Sequence, residues 1–197
     1  LQKENIQAIE TDLGEFIIQL AKEPPFHIIV PAVHKTRSQI SELFHRKLHA
    51  PLDDDIQRMT QLARETLRSK FLEAGLGISG VNFAVAETGT LVVVENEGNA
   101  RMCTTVPKVH VAIMGMEKVI PRLSDLGPFL TLLPRNATGQ RMSSYVSWIN
   151  GPRRKEEPDG PELLYLIILD NGRSKILADP EMQSTLRCIR CGACLNH

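Results

Sequence analysis

Leu163-Leu164-Tyr165-Leu166-Ile167-Ile168-Leu169 runs from Glu162 to Asp170 without one charged residue. Seven residues is strand length, and the lack of polar alternation predicts a sheet strand covered on both faces. The run is far too short to span a bilayer. Strands covered on both faces are usually covered by helices, so this stretch points to an α/β architecture.

Helices of the required kind lie upstream. Asp12 is placed to cap one, with Glu15 three residues on, and Leu13, Phe16, Ile17, Leu20 and Ala21 form a single apolar stripe. Pro24-Pro25 ends it. Thr36 and Gln39 form a second capping box ahead of Ile40, Leu43, Phe44 and Leu48, and Pro51 closes that helix. Asp53, Asp54 and Asp55 place negative charge at the start of a third. Its stripe is Ile56, Met59, Ala63, Leu67 and Phe71, and Gly75 and Gly77 break it.

Residues 6–10, 27–30, 83–86, 91–95, 109–113 and 143–148 read as further strands. Polar, glycine-bearing turns separate the strands at 83–86, 91–95 and 109–113. Residues 116–133 read as helical, with Pro121 opening the second part, and Asp179-Pro180 opens a last short helix leading to the cysteines. The charged, Pro- and Gly-rich stretch 150–161 is an exposed loop. The expectation is a mixed or largely parallel sheet flanked by helices.

Lys and Arg number 23 and Asp and Glu number 23, for a net charge of zero. Such a balance excludes a non-specific nucleic-acid binder, which needs surplus positive charge to displace counterions. Hydrophobic residues at 42% exclude a disordered chain. The chain starts at Leu1 without a secretory leader, and no apolar run is long enough to cross a membrane, so a cytoplasmic fragment of a longer protein is expected.

Three of the four cysteines, Cys188, Cys191 and Cys194, fall in the last ten residues. This clustering is not a disulfide framework. Evenly tight spacing wraps thiolates around a compact turn, and Gly192 keeps a side chain out of the way. It matches the start of the ferredoxin run, whose fourth Cys would fall one residue beyond His197. The other reading is a zinc site with His197 as fourth ligand. Cys103 reads as a small buried apolar residue.

Other stretches carry candidate chemistry. Glu87, Thr88, Gly89 and Thr90 form a turn whose backbone N–H groups and hydroxyls suit a carboxylate or phosphate, and equally suit a plain hairpin. Arg135, Thr138, Gly139 and Gln140 lie in a second such loop, where Arg135 could fork onto a carboxylate, and Asn99 and Arg101 in a weaker third. Glu42, His45 and His49 share helical spacing that suits a metal, or simply a solvated face. Neither a Ser-His-Asp arrangement, a dinucleotide fingerprint nor a phosphate-binding P-loop is evident.

Several motifs in fixed order carry a resemblance. These are Glu10-Thr11-Asp12-Leu13-Gly14-Glu15-Phe16-Ile17, Val30-Pro31-Ala32-Val33-His34-Lys35, Ala86-Glu87-Thr88-Gly89-Thr90, Ala137-Thr138-Gly139-Gln140, Asn150-Gly151-Pro152-Arg153-Arg154 and the closing Cys-Ile-Arg-Cys-Gly-Ala-Cys. Together they resemble the lactate-utilisation (LUD) family, in particular its iron–sulfur members. The resemblance implies a partial LUD domain over 1–180, incomplete at its N-terminus, with a fold similar to the ribose-phosphate isomerase and CoA-transferase group. A truncated ferredoxin-like domain would start over 181–197.

The resemblance further implies electron transfer in the oxidation of L-lactate to pyruvate, beside two sister proteins. A 4Fe-4S cluster would be held in the full-length protein by Cys188, Cys191 and Cys194, and be absent from this fragment. A small carboxylate or other anion is an expected ligand. A sheet left incomplete would expose an edge to a second copy, giving a homodimer. Two readings from other classes stay open: a LUD domain that only docks proteins, and an independent isomerase- or transferase-like enzyme with Glu87 as its lone acid/base candidate.

Overall fold

The computed structural model describes residues 4, 6–26 and 30–196. They divide into two compact units, residues 1–73 and 74–197. The cysteine segment belongs to the second unit.

The first unit is helical. In α1 (Leu13–Ala21) the Asp12 carboxylate accepts from the N–H groups of Gly14 at 2.9 Å and Glu15 at 3.2 Å. The box before α2 (Arg37–Leu48) is closed from both sides by Thr36 and Gln39. Asp55 accepts from the Arg58 N–H at 2.9 Å to start α3 (Ile56–Glu73). Phe16, Ile17, Leu43, Phe44, Met59, Ala63 and Leu67 form the buried cluster, where each large side chain stabilises by about 1.5–3 kcal/mol. Residues 6–10 are not a strand. Their backbone pairs instead with the Gln19 side chain, which accepts from Glu10 N–H and donates to the Ala8 carbonyl, both at 3.0 Å. Of the strand expected over 27–30, residues 27–29 lie outside the described residues.

The second unit is α/β, as expected. Strands β1 (Leu76–Gly80), β4 (Val109–Gly115) and β7 (Leu163–Leu169) form a parallel sheet in the order β1-β4-β7. Strands β2 (Phe83–Val85), β3 (Thr90–Glu95), β5 (Val119–Ile120) and β6 (Tyr145–Ile149) form a mixed sheet in the order β5-β2-β3-β6. Ala112 and Met114 of the first sheet pack on Ala84 and Leu91 of the second. The other face of the mixed sheet, through Phe83, Val85 and Val92, packs on Leu126, Phe129 and Leu130 of α5 (Leu126–Thr138).

Four expectations are corrected here. Strand β7 is an edge, and Leu163, Tyr165 and Ile168 are all about half exposed; an apolar run shows that a strand can be buried, not that cover is present. Residues 116–125 are not helix: Met116–Lys118 and Leu123–Asp125 are single 3-10 turns flanking β5. Ile120 is drawn into the core and pairs beside β2, and Pro121 has no N–H to continue a helix. The turn after β3 contains α4 (Asn99–Thr105), whose first N–H groups are capped from a distance by the Glu95 carboxylate. Finally, α6 (Arg173–Ala178) precedes Asp179, and a 3-10 turn, Gln183–Arg187, leads to the cysteines.

Candidate functional site

The cysteine segment is seated on the second unit through specific contacts. Ile189 packs against the core beneath α5. Arg190 and Gly192 both adopt left-handed backbone conformations, φ 59° and 77°, which curl the chain between successive cysteines. Arg190 N–H donates to Cys188 Sγ at 3.4 Å, and Asn136 Nδ2 on α5 donates to Cys191 Sγ at 3.7 Å. All four cysteines are free of disulfides. Burial, then the charge of Arg190, pushes the Lys118 ammonium below its usual range, while Glu117 and Cys188 oppose that shift.

These thiols, with N–H donors on two of them, are of the donor class that binds iron–sulfur clusters. Among the described residues, no three His, Cys, Asp or Glu side chains are gathered closely enough to hold a metal. His197, the zinc reading's fourth ligand, lies outside the described residues.

The turn at Glu87–Thr90 is bonded internally. Thr88 and Thr90 hydroxyls lie 2.6 Å apart, Thr90 donates to Asn150 Oδ1 at 2.6 Å, and Glu87 accepts from Leu123 N–H at 2.9 Å. Gly89 takes φ 69°, as a tight turn requires. Asn150 in turn borders a cavity of about 500 Å³, which Arg101 also lines. Arg135, Thr138, Gly139 and Gln140 do not border it. They form the C-terminal cap of α5, where Gly139 and Gln140 N–H groups bond back to the carbonyls of Arg135 and Pro134. Such an end presents carbonyl oxygens, and Arg135 offsets their negative potential. Asn99 opens α4.

The profile of the LUD domain matches residues 1–169. The chain belongs to the LUD domain family. It is 51% identical over 196 residues to a protein of Escherichia coli K12 named "Uncharacterized electron transport protein YkgF". It is 48% identical over 197 residues to lactate utilization protein B of Bacillus pumilus, and 46% identical to that of Bacillus subtilis. In each case all of this chain is covered, and it spans 41% of the relative's length. A solved DUF162 family protein from Deinococcus radiodurans is 16% identical, with TM-score 0.38, over 51% of this chain and 56% of that one.

This LUD chain also holds polar groups that its sequence does not advertise. His110 on β4 is fully buried, and its Nε2 meets Ser79 Oγ of β1 at 2.8 Å. Burial pushes the imidazole below its usual range, and Nδ1 has no partner among the described residues. Glu117 and Arg173 join the ends of β4 and β7, with Glu117 Oε2 2.5 Å from Arg173 Nε as an ion pair. Burial would raise the Glu117 carboxyl, but its own backbone N–H, Arg173 and Lys118 hold it below its usual range. A Cβ on Gly115 would overlap that carboxylate. Glu42, His45 and His49 border a shallow hollow in the LUD chain's first unit. There His45 Nδ1 is taken by the Ala50 carbonyl at 2.6 Å, and His49 turns left-handed beyond the end of α2, out of helical register.

Proposed function

We propose that this LUD chain supplies ligands to an iron–sulfur centre in an electron-transfer protein of L-lactate oxidation to pyruvate. The observation that carries the reading is the seating of Cys188-x2-Cys191-x2-Cys194 on a folded α/β unit, with N–H donors on Cys188 and Cys191. The names of the relatives supply the metabolic setting. A [4Fe–4S] cluster, when bound, supplies one-electron transfer at a potential tuned by its surroundings.

The chain's own residues do the rest. Cys188, Cys191 and Cys194 act as thiolate ligands, and Asn136 and the Arg190 backbone direct hydrogen bonds at sulfur. Ile189 fixes the turn to the core. A cytoplasmic setting and sister lactate-utilisation proteins as partners belong to the same reading. So does a small carboxylate or other anion as a ligand.

The test is anaerobic purification of the full-length protein and of its Cys188→Ser, Cys191→Ser and Cys194→Ser variants. The expected result is a brown parent protein, with visible absorption lost or sharply reduced in each variant. A colourless parent protein that holds zinc contradicts the reading.

A further inference from the structure

The parallel sheet has one packed face and one open face. Across β1, β4 and β7, Leu76, Val109 and Leu163 share a row, and Ile78, Val111 and Tyr165 share the next row on the same side. Leu76, Ile78, Leu163 and Tyr165 are 43%, 42%, 50% and 53% exposed. Gly80, one step further along β1, has nothing within 4 Å of where its Cβ would stand. Along all three strands this side presents only apolar side chains, glycine and one tyrosine. The opposite side is packed, with Ala112, Met114 and Leu164 against Ala84, Leu91 and Ile149 of the mixed sheet.

The topology explains the asymmetry. The sheet grows in one direction, β1-β4-β7, and both pairings are parallel. Right-handed crossovers that advance in one direction all fall on one face. The first connection carries β2 and β3 and the second carries β6, and Ala84, Leu91 and Ile149 put all three strands on the packed face. Neither connection can therefore cover the open one. The cysteine segment leads away as well, since Ile189 packs with α5 on the far side of the mixed sheet. Parallel sheets occur almost only with both faces covered, usually by helices.

This chain spans 41% of the length of the relatives it matches, so more than half of each lies outside the matched span. An uncharged face offers nothing to an ionic partner. A tethered segment of the same polypeptide meets the face at an effective concentration of about millimolar, well above that of a second copy in dilute solution.

We propose that the open face of the β1-β4-β7 sheet is the seat of an apolar-striped helix supplied by the same polypeptide from outside residues 1–197. The proposal is independent of the iron–sulfur reading, since it uses no residue of the cysteine turn.

The test is photo-crosslinking of the full-length protein carrying Ile78→p-benzoylphenylalanine or Tyr165→p-benzoylphenylalanine, irradiated as an equal mixture of isotope-labelled and unlabelled chains. Mass spectrometry is expected to join each position to a peptide outside residues 1–197 of the same isotope, with no mixed pairs. Hydroxyl-radical footprinting of the unsubstituted full-length protein gives a second reading. Tyr165 should lose its labelling there, while Tyr145, 40% exposed, keeps its own. Mixed-isotope pairs would mark a second copy as the cover and overturn the proposal. Cross-links that end only within residues 1–197, or a Tyr165 labelled as readily as Tyr145, would overturn it too.

Discussion

Asn136, in the last turns of α5, donates its side-chain amide to the sulfur of Cys191 at 3.7 Å, bridging 55 residues of sequence. This contact ties the cysteine turn to the same helix that covers the mixed sheet. Hydrogen bonds to ligand sulfur stabilise the more negative, reduced form of a cluster. In the loaded full-length protein, Asn136→Ala should therefore move the midpoint potential to a more negative value. Potentiometric titration followed by EPR reads the shift, and an unchanged potential contradicts the role.

Gly77 separates close backbone approach from mere flexibility. A Cβ there would collide with the Cys103 carbonyl oxygen of α4, whereas a Cβ on Gly80, three residues along the same strand, meets nothing within 4 Å. Gly77→Ala should cost about 2 kcal/mol or more, because both partners are backbone in a packed layer. Gly80→Ala should cost well under ~1 kcal/mol. Urea unfolding of both variants checks the contrast.

Helix caps and stripes were legible because they are local. Asp12, the Thr36–Gln39 box and Asp55 each sit within three residues of the groups they satisfy. What escaped the sequence depends on distance. Glu95 caps α4 from the preceding strand, and Gly77 reads as a helix breaker until Cys103 is placed against it. β7 reads as buried because seven apolar residues cannot report what lies over them. At the candidate site, the cysteine spacing was plain. The contact of Asn136 with Cys191 was not, since an amide late in a helix carries no signal of its own.

His110 gives the fold an acid sensitivity. Its folded pKa lies below the ordinary value of 6.5 because burial disfavours the charged ring. As pH falls through the unfolded-state value, the unfolded chain takes up a proton that the folded chain refuses, so stability declines until the folded pKa is reached. The contribution to the slope is at most ~1.4 kcal/mol per pH unit for one proton. Urea midpoints at pH 7 and pH 5 should differ more in the parent chain than in His110→Gln. Equal differences would remove His110 as the cause.

The exposed face of β7 predicts tolerance where a buried strand would give failure. Tyr165 and Ile167 are 53% and 44% exposed. In the 197-residue chain, Tyr165→Lys and Ile167→Lys should each cost less than ~1 kcal/mol. They should also reduce concentration-dependent association, because an open apolar edge pairs readily with another copy. Sedimentation velocity and urea unfolding test the two halves of this expectation.

The central claim is that Cys188, Cys191 and Cys194 belong to an iron–sulfur electron carrier. The most direct measurement is iron and acid-labile sulfide analysis of the anaerobically purified full-length protein, with EPR of its dithionite-reduced form. The account predicts iron and sulfide in equal amounts and a reduced-cluster EPR signal that Cys188→Ser diminishes. Stoichiometric zinc without sulfide, and no EPR signal on reduction, would contradict it.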